Sequence, residues 1–464
     1  MQLRALVKKE FNAMPEPTDA MAAAVQAWGR TYAGEPDWVS QSDHIRSINF
    51  AKAICSETAR LAMLGAKISI TGSARADWLM EQIDAVYYRL RQWVEYGGAY
   101  GTVLLKPGDK GVELYLPDEF IVTDAEDGEI AGAAFISRYH DEDAGRWYTR
   151  LEYHRFAEGG GARVYTVTNR CYVGSTRNDT SKEISVDASP WAGIAAEVQI
   201  RNLSAPLFAV LRMPAANNIQ IGSPLGMAIF ADAMEELRDL DIAYSRAAKE
   251  IQDSKRTVLL DSDRLVPSAQ RLHNSVAANV LGAPWGASPL PDYVKLVDGT
   301  GAADSDVYHE INPELNTEMR LQGINALLSQ IGFKCGYSNG YFVFNARSGL
   351  VTATQVEADD RRTVQLIKDV RDALEQCLAA LVRALDAMAD LYGLAPAGAY
   401  ELSCDFGDVT YNREEDKQSW WRYVVQNRVP FWLYLTKFEG YTEDEARAVE
   451  AAAQPREVLF GPEE

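Results

Sequence analysis

The string Gly336-Tyr337-Ser338-Asn339-Gly340 fits the G-x-S-x-G pattern of a serine nucleophile. Such a turn needs a buried strand before it, a helix after it and a histidine later in the chain. Here a stretch of helical period precedes it, the strand-like run Tyr341-Phe342-Val343-Phe344 follows, and the last histidine is His309. That order leaves a glycine-rich turn, not a nucleophile elbow. The five histidines, His44, His140, His154, His273 and His309, lack metal-ligand spacing, although His140 and His154 lie in neighbouring strand-like runs and could approach each other. Asp124-Ala-Glu126-Asp127-Gly128-Glu129 is out of register with a calcium loop and reads as an acidic turn. No G-x-x-x-x-G-K-[ST] phosphate cradle is present, and Gly159-Gly160-Gly161 reads as a hairpin loop because it lacks G-x-G-x-x-G spacing. Among 66 acidic residues no carboxylate pair stands out as acid and base. The residues define no catalytic, cofactor-binding or metal-binding constellation, and the expectation is a protein that is not an enzyme.

Composition narrows the remaining classes. A chain of 464 residues predicts roughly two to four structural units. An apolar share of 47% supplies real cores and argues against wholesale disorder. The net charge of −20 argues against a tight, wrapping nucleic-acid binder, which needs a basic surface to release counterions. It is compatible with a protein that encloses DNA without gripping it. The five cysteines, Cys55, Cys171, Cys335, Cys377 and Cys404, form no C-x-x-C pair, as expected in a reducing compartment. The N-terminal MQLRALVKKEF has no apolar signal core, and no apolar run approaches membrane-spanning length, so a soluble protein made in the cytosol is expected.

The elements follow from periodicity and punctuation. Helices are predicted around Asp19–Trp28, Ser47–Leu64 and Ala74–Tyr96. The runs GTVLLKP, VELYLP, EFIVTD, IAGAAFISRYH, WYTRLEYHRFA and RVYTVTNRCYV predict an antiparallel meander ending near Pro190, with turns at Pro107-Gly108-Asp109 and Asp127-Gly128. A long helix is then predicted over Ser223–Ser254. Its apolar stripe is Leu225, Ile229, Ala233, Leu237, Leu240, Tyr244, Ala248 and Ile251; Glu235, Asp239, Arg246, Lys249 and Asp253 lie opposite. Strand-like RTVLLD and YVKLVD flank a Pro/Gly-rich insert, and a third helix is predicted with Asn312 as cap and Pro313 in its first turn. After a small loop, a capping box at Thr354 and Glu357 opens a helix running to Gly393, roughly 60 Å long. A helix of that length suggests an elongated or multi-subunit body.

The order helix, insert, helix, loop, very long helix resembles the portal proteins of tailed bacteriophages, closest to the siphophage, Gp-six-like branch. Three blocks carry the resemblance from about Tyr96 onward. They are EYGGAYGTVLLKP with the strand runs after it, GSPLGMAIFADAMEELRDLDIAYSRAAKEIQDSKRTVLLD, and LLSQIGFKCGYSNGYFVFNARSGLVTATQVEADDRRT. CDFGDVTYNREEDKQSWWRYVVQNRVPFWLYLTKFEGYTEDEARAV adds a less distinctive fourth block.

The resemblance implies an α+β portal fold. It comprises an N-terminal segment (1–49), a β-rich wing with helices (50–221), stem helices (222–255 and 306–332) around a small α/β clip (256–305), a wing return (333–411) and a helical crown (412–464). The return would carry a tunnel loop (345–352) and the long helix (353–393). It also implies a homo-oligomeric ring of about twelve subunits at one capsid vertex, closed by head-to-tail contacts. The long helices' apolar stripes would then be buried by neighbouring subunits. Double-stranded DNA would pass through without sequence specificity. Terminase large subunit, a head-completion or adaptor protein, and major capsid and scaffolding proteins would dock, with no cofactor and no membrane. On this mapping Asn345, Arg347, Ser348 and Gly349 line the channel loop, Glu235, Asp239, Arg246, Lys249 and Asp253 face the channel from the stem, and Trp285 and Tyr293 anchor partners on the clip. The competing readings are a cytosolic β-rich hydrolase using paired carboxylates and another phage head or adaptor protein.

Overall fold

The computed structural model of the chain describes residues 2–11, 18–108, 111–159, 162–254, 257–261, 294–297, 308–311, 316–344, 353–407, 413–426, 428–439 and 441–452. It is a mixed α+β protein. The chain packs as two units, one of residues 1–63 and 68–404 and a second of 64–67 and 405–464.

In the first unit, α1 (Gln2–Phe11) is a helix that the sequence reading did not anticipate. It lays Val7 and Phe11 on Ile121, Tyr153 and Tyr172 of the large sheet. Helix α2 (Asp19–Ala33) starts where the Thr18 hydroxyl accepts from the Met21 N–H, and stops at Gly34, which adopts φ +81° and donates to the Arg30 and Thr31 carbonyls. Helices α3 (Phe50–Ala62) and α4 (Ala74–Tyr100) pack against each other, and Ile54, Leu79, Ile83 and Leu90 are fully buried.

Every run of the expected meander is a strand: β2 (Thr102–Gly108), β3 (Gly111–Tyr115), β4 (Phe120–Glu126), β5 (Glu129–Asp141), β6 (Arg146–Gly159) and β7 (Ala162–Gly174). They do not form one sheet. β2 and β3 join β10 (Ala209–Arg212) in a sheet of order β10-β2-β3, whereas β4 to β7 continue into β8 (Lys182–Ile184). β9 (Glu197–Arg201) also pairs with β7, so the sheet extends past the expected end near Pro190. The β4–β5 turn places Asp127 at φ 51° and Gly128 at φ 82°, the doubly positive pair that a tight hairpin requires.

The long helix expected from Ser223 begins only at Met234; α5 spans Met234–Asp253. Residues 223–228 are buried, non-helical chain instead. The Gly226 N–H donates to the Thr102 hydroxyl at 2.8 Å and the Ile229 N–H to the Gly98 carbonyl at 2.9 Å. Gly101 and Gly226 approach so closely that a side chain on either would collide with the other's carbonyl oxygen. These distant partners overrule the local helical period.

Strands β11 (Thr257–Asp261), β12 (Val294–Val297) and β13 (Tyr308–Ile311) form a small sheet of order β12-β11-β13, with β12 parallel and β13 antiparallel to β11. The next helix, α6 (Thr317–Lys334), starts after Asn316; the expected cap Asn312 and Pro313 lie outside the described residues. Helix α7 spans Ala353–Tyr392 and ends at Gly393 with φ 60°. It packs on β10, β2, α3 and α4. Its stripe residues Ile367, Val370, Leu374, Leu378, Leu381 and Leu385 are all at most 3% exposed within the single chain. The expectation that a neighbouring subunit buries this stripe is therefore corrected from Ile367 to Leu385, which the chain buries itself, whereas Val364 and Met388 are half-buried and Leu391 is exposed. The side chains of Thr354 and Glu357 lie outside the described residues. Strand β14 (Glu401–Asp405) returns to pair with β1 (Lys67–Thr71).

The second unit is helical: α8 (Arg413–Val425), α9 (Phe431–Tyr434), a wider turn over Leu435–Glu439, and α10 (Glu443–Ala452). Tyr434, Leu435, Phe438 and Ala446 make its buried centre. Helix α10 opens on a capping box: the Glu445 carboxylate accepts from the Thr442 N–H at 3.0 Å, while the Glu445 N–H donates to the Thr442 hydroxyl at 3.4 Å.

Candidate functional site

Helices α5 and α6 form an antiparallel pair. Leu237 and Leu240 on α5 share a core with Ile324, Leu328 and Ile331 on α6. At one end Lys334 pairs with Glu236 at 2.6 Å, and Gln330 donates to the same carboxylate at 3.1 Å. At the other end Arg320 pairs with Glu250. The small β12-β11-β13 sheet is inserted in the chain between the two helices.

The apolar stripe expected on α5 is used unequally. Leu237 and Leu240 are buried, but Tyr244 is 38% and Ile251 59% exposed. Tyr244, Ala247, Ala248 and Ile251 face Leu321, Ile324 and Phe344 across an open apolar cleft of about 310 Å³. On the opposite face Glu235, Asp239, Arg246 and Lys249 are not buried, as expected for a solvated wall. Its charge is not uniform: Glu235 lies in the first turn, where a carboxylate suits the helix dipole, while no basic residue lies in the last turn. Asp253 ends the helix, and its side chain lies outside the described residues.

Asn345, Arg347, Ser348 and Gly349 of the expected tunnel loop, and Trp285 and Tyr293 of the expected clip surface, also lie outside the described residues. The chain ahead of the loop is tied into the core. Gly336 and Gly340 take φ 89° and 78°, so the G-x-S-x-G string is a turn. Ser338 is 3% exposed, and its N–H donates to the Thr363 hydroxyl on α7 at 2.9 Å. Tyr337 is buried and its hydroxyl lies 2.6 Å from that of Thr58 on α3. Tyr341-Phe342-Val343-Phe344 is not the expected strand; the Tyr337, Tyr341 and Phe342 rings pack on one another within 5 Å and shape a turn. His140 and His154 do not meet: His140 stacks on Trp147 at 4.4 Å, while His154 sits opposite Ala133 further along the sheet.

Sequence reasoning missed a buried ionic cluster between the two main sheets. Glu152 on β6 accepts from Lys106 on β2 at 2.6 Å, from Arg150 at 2.9 Å and from His154 at 2.8 Å. The other His154 nitrogen lies 2.8 Å from the Tyr165 hydroxyl, which accepts from the Leu207 N–H at 3.0 Å. Burial by itself raises the Glu152 carboxyl, but Lys106, His154 and Arg150 more than offset it and hold it well below the carboxylate range. Burial pushes the His154 imidazole down, against the pull of Glu152. A neutral His154 donating from Nε2 to Glu152 and accepting from Tyr165 at Nδ1 satisfies both ring nitrogens, whereas the buried Arg150 Nε is left without a partner. Lys106 also sits over the Tyr115 and Phe135 rings at 5.3 and 5.0 Å. The cluster is a structural joint between sheets. Its only sequence signal is a polar residue, Lys106, in an otherwise apolar strand.

Two arginines fasten helix ends. Arg75 on α4 is 1% exposed and donates to the carbonyls of Asp386, Ala395 and Pro396 and to the Asp386 and Asp390 carboxylates. Arg371 on α7 donates to the Leu61 and Ala62 carbonyls at the end of α3.

Among the described residues no group of His, Cys, Asp and Glu is arranged to hold a metal ion, and no helix is long and apolar enough to cross a membrane. The five cysteines are free. The chain matches no model of a known protein family and no curated protein.

Proposed function

We propose that the chain is the portal subunit of a tailed phage or prophage, a ring-forming conduit and docking platform, not an enzyme. The observation that carries this reading is the antiparallel α5–α6 pair, with a small sheet inserted between its helices, returning through a packed turn toward a 40-residue helix. The α5–α6 pair is the stem, the inserted sheet the clip, and 345–352 the loop that meets the DNA. The exposed apolar half-stripe at Tyr244 and Ile251 supports association in the stem, since a subunit working alone leaves that surface wet. The ring admits double-stranded DNA driven by a terminase motor and releases it to the tail. Terminase and a head-completion protein dock on the clip, major capsid and scaffolding proteins surround the ring, and the assembly resides at a virion vertex.

Loop contacts to DNA are weak on this reading: Arg347 supplies one screened cation per subunit, and Gly349 supplies backbone freedom. Complementation of a phage lacking its own copy tests the reading. Particles made without the chain are expected to be DNA-free, wild type restores full genomes, and Arg347→Glu or Gly349→Pro yields shortened or poorly retained DNA. Full genomes in the absence of the chain would overturn the portal function. Full genomes with both variants would remove the loop from it.

A further inference from the structure

A cleft of about 690 Å³ lies beside α4, between it and β3 and β5, and a second of about 720 Å³ runs beneath α1 and α2. Both are lined by Ile136, Arg138 and Arg177. Arg89 and Trp147 add to the wall of the first.

The side chain of Arg138, on β5, is half-buried and makes no hydrogen bond or ion pair among the described residues; its Nε is fully buried without a partner. Arg177 beside it has only a loose contact, 3.6 Å, with the exposed Asp118. The Glu119 carboxylate, which also lines the cleft, accepts from the Leu116 N–H at 3.2 Å. Burial and then the like charge of Arg177 push the Arg138 guanidinium down, against the pull of Asp118 and Glu119. A half-buried cation next to a like charge and short of acceptors is costly to hold empty, and a guanidinium fork matches a tetrahedral oxyanion. By contrast, Arg4 and Arg30 in the second cleft already pair with Asp19 and Asp37 at 2.8 and 2.6 Å.

We propose that Arg138 and Arg177 form a binding site for a phosphate-class oxyanion at the junction of the two clefts. The ligand is small, because Arg138 is half-buried and its Nε fully so. It is either free phosphate or the phosphate of a mononucleotide whose remainder lies toward Arg89 and Trp147. The site is independent of the portal reading.

Isothermal titration of the purified full chain with inorganic phosphate, with a 5′-mononucleotide and with a short DNA duplex, at matched ionic strength, tests it. Saturable phosphate or mononucleotide binding is expected; tighter mononucleotide binding identifies the ester as the ligand, and equal binding the free ion. Arg138→Met and Arg177→Ala each lower the affinity about tenfold or more. Arg163→Ala, which removes an exposed pair with Glu126, leaves it unchanged. Arg138→Met removes an unpaired, half-buried charge, so its melting temperature does not fall and loss of binding is not loss of fold. Phosphate binding by Arg138→Met equal to wild type would overturn the proposal. So would the absence of saturable binding to either small ligand, or binding of the duplex alone.

Discussion

Replacing Glu152 by alanine is expected to destabilise the first unit by about 3–5 kcal/mol, the range for removing one partner from a buried ionic cluster. The carboxylate is 13% exposed and neutralises Lys106 and Arg150, which are 6% and 12% exposed. Without it two cations remain at the joint between the sheets with no acceptor. Removing the charges together, as in Glu152→Leu with Lys106→Met and Arg150→Met, is expected to recover much of the loss, because the desolvation penalty leaves with the charges. The cluster also sets a pH dependence. The folded Glu152 carboxyl titrates below its unfolded value, so its stabilisation is present above about pH 4.3 and is lost as pH falls through the folded value. Folded His154 also titrates below its unfolded value, so the unfolded chain takes up that proton first, and stability begins to fall as pH drops below about 6.5. Both act in the same direction. Urea unfolding from about pH 7.5 to about pH 4 should show this fall, with a shallower slope in His154→Asn. A Glu152→Ala variant within about 0.5 kcal/mol of wild type would contradict the account of the joint.

Arg75→Ala is expected to cost about 3 kcal/mol, from three carbonyls that lose a buried donor and the space left by the side chain. Asp390 is 63% exposed, so its ion pair adds little to that figure. The effect is local before it is global: amides in the last turns of α7 should exchange faster in Arg75→Ala while those around Leu374 keep their protection. Arg75→Lys should recover only part, since an ammonium supplies three donors where the guanidinium supplies five. Unchanged exchange near Asp386 would show that the arginine does not fasten the helix end.

What could be read in the sequence was local. The strands from Thr102 to Gly174 announce themselves through β-branched and aromatic runs and Gly-containing turns, and α7 through its period and Gly393. The segment 223–233 misled because its apolar spacing is helical, while Gly101, Thr102 and Gly98, more than 100 positions earlier, hold its first half out of the helix. Asn312-Pro313 looks like a helix start and lies outside the described residues, while α6 is described from Thr317. The Lys106–Glu152 joint and the Arg75 fastening link residues 46 and more than 300 positions apart, so no window on the sequence contains either. The exposed face of α5 was legible from helical period; that Tyr244 and Ile251 stay open while the α7 stripe is covered from Ile367 to Leu385 was not, because burial depends on which other elements arrive.

The mass of the purified chain in solution tests the central claim most directly. Mass photometry is expected to find closed assemblies of about twelve times the 51.4 kDa of one chain, with a neighbouring count also consistent, and Ile251→Glu is expected to shift the population toward single subunits. A species at 51.4 kDa alone, over a wide range of concentration, would contradict the portal account.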